Sequence, residues 1–262
     1  MNRRELMTAV LAAAAASVTP AGLGRRGAAA ADSYGQLLDD KADTDKRAFA
    51  SEAKRIYERH FAQTHDTVTA LQRKYAQPVF GAMRVWDLVE KLALCIDVSD
   101  EHLGCTNQLI HVQQVVEGME RDGIQDADFF LAALTHDLGK VLLLAGEAPE
   151  NVMCANRPIG EYDPGVGLDR VVFQWNHDEF IYSRLRDRLP EHVAWLVRYH
   201  SISIDAAARC MNERDRGYSE RYLRPFRKYD MGTKSAWHLP PPRILDKYRD
   251  LIEKVFPAPI AI

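Results

Sequence analysis

The sequence predicts a mainly α-helical fold, a single helical-bundle domain with one long cover loop. Apolar residues recur with the 3.6-residue helical period over most of the chain from residue 45 onward, and there is no alternating strand series and no internal repeat. The chain has 262 residues, 47% hydrophobic and 27% charged, so one large domain can bury a sizeable core.

Eight apolar-periodic segments are the predicted helices. Asp122-Gly123 is expected to close the third, and Asp126 to cap the fourth. The fourth is the most apolar and should be central, with His136 and Asp137 in its middle. The segments cover residues 45–75, 83–96, 106–121, 127–144, 177–186 (or from 171), 191–200, 220–229 and 244–255, and the Gly- and Pro-rich residues 145–170 are the cover loop.

Charge and cysteine spacing exclude some classes of function. The 34 basic and 37 acidic residues give a formal charge of -3 without a basic stripe, which argues against nucleic acid as a partner. Cys95, Cys105, Cys154 and Cys210 have no CxxC spacing, so a zinc knuckle is not supported. Cys95 and Cys105 could pair in an oxidising compartment; the alternative is buried free thiols.

The N-terminal residues are typical of an export signal. Arg3-Arg4 precedes an alanine-rich apolar segment from Leu6 to Val18, and small residues at Ala28–Ala31 suit a cleavage site. We therefore expect a twin-arginine type signal over residues 1–31, a linker over 32–44 and the folded domain over 45–262. The protein would be periplasmic or secreted, with no membrane segment after signal removal. If residues 1–31 are only a disordered tail, it would be cytoplasmic.

His136 and Asp137 form the centre of a candidate metal site. Adjacent imidazole and carboxylate groups can bind one ion, and the second carboxylate oxygen can bridge to another. Lys140, four residues after His136, would share its helical face. Burying such groups is costly unless they are paired or bound to metal. The full set of potential ligands is His111, His136, Asp137, His177, His200 and Asp230, which lacks a thiolate and suits iron or manganese.

The order of these residues resembles the HD-domain superfamily, and the two added histidines resemble its di-iron oxygenase branch, the myo-inositol oxygenase family. The resemblance implies an HD-domain-like helical bundle and covers about residues 45 to 257. The similar segments are Gln63–Val68, His136–Lys140 with Gly146-Glu147, Val166–Leu168, Trp175–Phe180, Arg198–Ser201 and Phe226–Lys234.

The resemblance also implies cofactors and residue roles. Two irons, a mixed-valent Fe(II)/Fe(III) pair, would use O2 for ring-cleaving oxidation of a small polyol, myo-inositol giving D-glucuronate, with the protein expected to be a monomer. Lys140 would be catalytic, stabilising an alkoxide or moving a proton, with a pKa lowered by nearby cations. One iron is implied at His111, His136, Asp137 and Asp230, the other at His177 and His200 with Asp137 bridging, and substrate contacts at Asp97, Ser99, Lys140, Ser201 and Lys234.

The substrate pocket departs from the family pattern more than the metal ligands do. The family's arginine-containing N-terminal motif is not recognisable upstream of Ala48, and Cys154-Ala155 replaces a Gly-Asp pair of the cover loop. Residues 202–205 replace an aromatic-rich segment.

Two other functions remain open. A metal-dependent phosphohydrolase, the commoner activity of HD proteins, would use His111, His136, Asp137 and Asp230 but leave His177 and His200 optional. A non-enzymatic binding or sensor module would keep a metal for stability alone.

Overall fold

Helices carry nearly all regular structure in residues 52–100 and 107–262, the part of the chain that the computed structural model describes. This confirms the predicted mainly α-helical class. The predicted export signal, the linker and Cys105 lie outside the described residues. The α-helices are 52–61, His65–Lys74, Val85–Lys91, Gln108–Arg121, Ala127–Thr135, His177–Leu185, Glu191–Tyr199, Ile204–Ala207, Glu213–Tyr218, Arg224–Asp230 and Arg249–Val255.

The predicted helix over residues 45–75 is wrong as a single element. The side chain of Thr64 accepts a hydrogen bond from the Thr67 backbone N–H, and the extended backbone of Thr64 starts a new helix. An apolar period continues across this break because each helix buries one apolar face, with Ala53 and Ile56 buried in the first and Val68 and Leu71 in the second.

The central helix is Gln108–Arg121, which buries Val112, Val115 and Met119. It packs against Ala127–Thr135 on one side and Arg224–Asp230 on another. In turn, Ala127–Thr135 packs against Glu191–Tyr199. Side chains from these helices therefore meet in the interior.

The predicted fourth helix is also wrong, because its α-helical part ends at Thr135. His136 caps it, Asp137 leaves the α-helical region with φ -96° and ψ 3°, and a 3-10 helix runs over Leu138–Ala145. Gly139 here lies so close to the His177 carbonyl that a Cβ atom would overlap it. The 3-10 helix Leu138–Ala145 thus packs at Gly139 against the start of the helix His177–Leu185.

The structure also differs from the sequence prediction at the ends of several helices and in a few short additional elements. Ala82–Met83 is a strand, paired antiparallel with Ile260–Ala261, and the second helix begins at Val85 and ends in a 3-10 turn over Leu92–Leu94. A π-helix, Ser219–Leu223, precedes Arg224–Asp230, and a 3-10 turn, Asp246–Tyr248, precedes the last helix. The short helices Ile204–Ala207 and Glu213–Tyr218 were not expected.

The cover loop is irregular, as predicted, apart from 3-10 turns at Pro149–Asn151 and Leu168–Arg170. Cys95, Cys154 and Cys210 are free thiols, and Cys95 and Cys210 are buried. Among the described residues, no helix has both the length and the apolar character needed to cross a membrane.

Candidate metal centre

The six predicted ligands lie in one buried cluster, and none is more than 6% exposed. Capping side chains start three of the helices that carry them: Asn107, Asp126 and Asn176. The Asp126 cap and the Asp122-Gly123 helix end are as predicted. His111 comes from the central helix, His136 and Asp137 from the turn after Ala127–Thr135, His177 and His200 from the start and the end of their helices, and Asp230 from the end of Arg224–Asp230.

The first metal position is formed by His111, His136, Asp137 and Asp230. Asp230 Oδ1 lies 3.1 Å from His111 Nε2 and 3.7 Å from His136 Nε2. Asp137 Oδ2 lies 3.5 Å from each of the same nitrogens. Two nitrogens and two oxygens therefore converge on one point.

The second metal position is formed by Asp137, His177 and His200. Asp137 Oδ1 lies 3.0 Å from His177 Nε2 and 3.5 Å from His200 Nε2, and the two nitrogens are 3.4 Å apart. The two oxygens of Asp137 thus face different histidine pairs. Within the described residues Asp137 Oδ2 makes no hydrogen bond, and the positive charge beside it is the Lys140 ammonium, whose Nζ lies 3.2 Å away.

Backbone carbonyls orient three of the histidines. His136 Nδ1 lies 2.9 Å from the Ala133 carbonyl oxygen, and His200 Nδ1 lies 3.0 Å from that of Val197. His177 Nδ1 donates to the Val152 carbonyl. With Nδ1 as the donor, the Nε2 lone pair of a neutral imidazole points into the cluster, as it does in metal-binding histidines.

The local charges favour the protonation states that bind metal, neutral imidazole and ionised carboxylate, at His136 and Asp137. Burial lowers the pKa of His136 to about 3, so its imidazole is neutral at physiological pH. Burial opposes ionisation of Asp137, but Lys140, His136 and the hydrogen bonds from His177 and His200 together outweigh it and hold the pKa of Asp137 well below its usual value. Burial also disfavours protonated His177, yet Asp178 and Asp137 raise its pKa to about 9. A metal ion at the second position would displace this proton.

Lys140 is fully buried and lies between two carboxylates. Its Nζ is 2.9 Å from Gln108 Oε1, 3.1 Å from Asp97 Oδ2 and 3.2 Å from Asp137 Oδ2. Burial would lower the pKa of Lys140, but Asp137 and Asp97 raise it well above its ordinary value. These are the charges of the protein alone, and the lowering of this pKa expected beside metal cations stays a prediction.

A cavity of about 490 Å³ lies beside the cluster, and His200 and Asp230 form part of its wall. Lys140 does not line this cavity but reaches its wall through Asp97. Its predicted substrate contact stays a prediction. The other four predicted substrate contacts all line the cavity: Asp97, Ser99, Ser201 and Lys234.

The cover loop supplies the wall at the point where the sequence departs from the family. Cys154 and Ala155 line the cavity, together with Arg157. Ala155 has φ 75°, a left-handed conformation that favours glycine, and its N–H donates to the Ser201 carbonyl at 3.0 Å. Alanine at this position therefore carries backbone strain.

Three polar neighbours of the cluster are not among the site residues predicted from the sequence. Asp178 Oδ1 lies 3.0 Å from His177 Nε2, Gln108 accepts from Lys140, and Asp100 pairs with Lys234 at 2.7 Å. A signal for Asp178 was present, because it follows His177 just as Asp137 follows His136.

Comparison with known proteins identifies the family. Two overlapping segments, residues 50–154 and 148–262, match the family described as myo-inositol oxygenase. A probable inositol oxygenase of Oryza sativa subsp. japonica is 30% identical over 257 residues, 83% of this chain and 82% of that protein. Inositol oxygenase 2 of Arabidopsis thaliana is 31% identical over 76% of this chain and 74% of its own, and the Homo sapiens inositol oxygenase is 30% identical over 74% and 81%. The resemblance in the motifs is thereby confirmed, and the chain is an oxygenase-type enzyme that belongs to the myo-inositol oxygenase family.

Proposed function

We propose that the protein is a di-iron oxygenase that cleaves the ring of a cyclic polyol with O2, most simply myo-inositol to D-glucuronate, water and a proton. One observation carries this proposal. Asp137 directs one carboxylate oxygen toward each of two histidine pairs, beside a cavity lined by polar side chains. A bridging carboxylate between two imidazole-rich positions suits two metal ions acting together.

The residues fit iron. The cluster offers imidazole nitrogens and carboxylate oxygens, and backbone carbonyls at Nδ1 leave the Nε2 atoms of His136 and His200 facing the points where two cations would bind. When bound, a mixed-valent Fe(II)/Fe(III) pair would supply Lewis acidity and a redox couple that activates O2, while the four electrons that reduce O2 come from the polyol.

The chain's own residues would bind and orient the polyol. Ser99 donates from both N–H and Oγ to Asp97 Oδ1, at 2.9 and 2.5 Å, and so keeps its hydroxyl oxygen as an acceptor for a substrate hydroxyl. Lys234, only 11% exposed in its side chain, offers a donor at the same wall. Ser99 and Lys234 could thus hold two vicinal hydroxyls of the substrate, with one end of the substrate near His200 and Asp230.

Lys140 would act as a fixed positive charge. Since neighbouring carboxylates raise its pKa, the ammonium stays protonated and favours negative charge on nearby oxygens. Lys140 also pairs with both Asp97 of the cavity wall and Asp137 of the cluster, and so fixes the position of the cavity wall relative to the cluster.

Oxygen uptake tests the proposed function. Iron-loaded protein is expected to consume O2 with myo-inositol, in a panel of cyclitols, and to release an equal amount of a sugar acid identified by mass spectrometry. His200→Ala should lose at least about 100-fold in kcat/KM, since the second position loses a ligand. His192→Ala is the matched control, because His192 pairs with Asp128 away from the cluster.

Other results would assign a different function. Phosphate release from phosphate esters without O2 uptake would support the metal-dependent phosphohydrolase. Metal that raises the melting temperature without turnover of either substrate class would support a binding module.

A further inference from the structure

We propose that Arg157 and Arg227 form an oxyanion subsite in the cavity beside the metal cluster, and that the preferred substrate is a cyclic polyol carrying an anionic substituent such as a phosphate ester. This inference rests on the ring-cleaving oxidation of the proposed function and narrows its substrate class. Both arginines line the cavity, yet neither belongs to the metal cluster or to the wall of Ser99 and Lys234 that would hold the ring hydroxyls.

The acidic side chains of the cavity wall are committed to other partners. Asp97 pairs with Lys140 at 3.1 Å, and Asp100 pairs with Lys234 at 2.7 Å. Asp230 faces the first metal position. Within residues 52–100 and 107–262, neither cavity arginine forms an ion pair. Two positive charges are therefore left to attract an anion into the cavity, where partly enclosed walls strengthen the attraction.

Arg227 is held by the backbone in a way that leaves part of its guanidinium for a ligand. Its Nε donates to the His200 carbonyl at 2.9 Å, and its Nη2 donates to the Ile202 carbonyl. Nη1 has no hydrogen-bond partner in the described part of the chain. A guanidinium carries five N–H donors, so those that remain can bind two oxygens of a phosphate or carboxylate.

An arginine that donates only to carbonyls can have a purely structural role. Arg184 fits that simpler role, since it donates to the carbonyls of Tyr75 and Gln77 and does not line the cavity. Arg227 differs because it does line the cavity and is joined there by a second guanidinium, that of Arg157. Two such groups at one cavity point to a ligand with negative charge.

Arg157 comes from the cover loop. Its guanidinium carbon lies 3.9 Å from the centre of the Phe61 ring, a cation–π contact that orients the group without neutralising it. Among the described residues its side chain makes no hydrogen bond, and only its backbone N–H donates, to Gln174. All the donors of this guanidinium are thus available to a ligand.

Backbone hydrogen bonds bring the two arginines to the same part of the wall. The Ala155 N–H donates to the Ser201 carbonyl at 3.0 Å, and the Ser203 N–H donates to the Asn156 carbonyl at 2.8 Å. The cover loop just before Arg157 is therefore joined to the segment whose carbonyls Arg227 holds.

The rest of this wall offers little to a bare ring of hydroxyls. The Cys154 thiol is a weak hydrogen-bonding group, and the side chains of Ala155 and Ile202 have no polar atom. The cavity of about 490 Å³ also lies in the range of roughly 300 to 1,000 Å³ that holds drug-sized ligands, so a cyclitol ring leaves room for a substituent.

Binding and turnover test the subsite with the iron-loaded protein. Under nitrogen, calorimetry should show that at least one positional isomer of inositol monophosphate binds at least about tenfold more tightly than myo-inositol, as charge-assisted hydrogen bonds predict. With O2, the same isomer should have the higher kcat/KM, mainly through a lower KM. The preference should weaken as the salt concentration rises.

Substitutions assign the preference to the two arginines. Arg157→Gln and Arg227→Gln should each reduce the ratio of the two affinities at least about threefold. Arg170→Gln is the matched control, because Arg170 is an exposed arginine of the same loop that does not line the cavity, and it should keep the ratio.

Equal affinities for myo-inositol and every inositol monophosphate would overturn the inference, as would a preference that Arg157→Gln leaves unchanged. The second result decides even if Arg227→Gln fails to fold, since the Arg157 side chain holds no part of the described backbone. Inorganic phosphate that binds as tightly as the phosphorylated ring, and depends equally on Arg157, would assign the subsite to a free anion and overturn the substrate class.

The same measurements separate this inference from the proposed function. Binding of the phosphorylated ring through both arginines, without O2 uptake, would refute the oxygenase and leave the subsite standing. Oxidation of myo-inositol with no preference for an anionic ring would support the oxygenase and refute the subsite.

Discussion

Lys140 shows how one buried side chain joins the cavity wall to the metal cluster. Its ammonium donates a hydrogen bond to Gln108 and forms ion pairs with Asp97 and Asp137, at 3.1 and 3.2 Å. Removal of the charge would leave two carboxylates buried without a cation. At this scale, the residue supports both folding and the proposed chemistry.

Lys140→Met tests both roles. In the presence of a chelator, the variant should lose about 3 kcal/mol in the free energy of unfolding, measured by urea denaturation, because a buried ion pair loses one partner. With metals bound, O2 uptake should fall strongly. Lys228→Met, which removes an exposed pair with Asp122, should leave stability almost unchanged. Equal stabilities and full activity of Lys140→Met would contradict both roles.

The element that sets the geometry of the cluster is the turn between Thr135 and Leu138. In a continuous α-helix Lys140 would face both His136 and Asp137, four and three residues earlier, whereas 3-10 winding aligns residues three apart and so directs Lys140 to Asp137. The turn depends on Gly139, which lies against the backbone of His177–Leu185. This close approach thus brings His177 beside Asp137, with His177 Nε2 3.0 Å from Asp137 Oδ1.

Gly139→Ala should push this turn away from His177. We expect a loss of about 1 to 3 kcal/mol in stability, the usual cost of overpacking, together with weaker binding of metal at the second position. Gly217→Ala is the matched control, since a Cβ there meets nothing within 4 Å and Gly217 lies within a helix. Melting temperature and Mn²⁺ titration measure both effects, and Gly217→Ala should be neutral or slightly stabilising. A stable Gly139→Ala protein with two tight ions would contradict the role of this contact.

For the whole molecule, sequence patterns predicted the helical class and the residues that meet in the cluster. Periodicity could not show the end of the α-helix at Thr135, because Leu138, Val141 and Leu142 continue the apolar pattern through a 3-10 segment. Asp178 was overlooked because acidic residues are common in the first turn of a helix. The pairing of Lys140 with Asp97 required tertiary structure, since these residues are far apart in the chain.

A second charged cluster, around Glu147, should contribute to the stability of the fold at acidic pH. Glu147 accepts hydrogen bonds from Asn151 at 2.8 Å and Lys74 at 2.6 Å, and also from Tyr75. Burial raises the pKa of Glu147, but these donors outweigh it and lower the pKa to about 2. The stabilisation by the carboxylate is thus full above the ordinary value of 4.5 and is lost as the pH falls toward 2.

Glu147→Gln should therefore cost about 1.5 kcal/mol at pH 7, as expected for hydrogen bonds to a charged group. The difference from the unchanged protein should narrow between pH 4.5 and pH 3, measured by urea denaturation. Glu161→Gln in the same loop is the control. A difference that stays constant over this range would show that ionised Glu147 contributes nothing to stability.

The two-sided placement of Asp137 has a thermodynamic consequence. Because one carboxylate gives an oxygen to each position, occupancy of either position changes the orientation and charge that the other encounters. The resulting change in affinity must be equal in both directions, whichever ion binds first. Any variant that alters one position will thus alter the apparent affinity of its neighbour, and loading of the centre is a property of the pair.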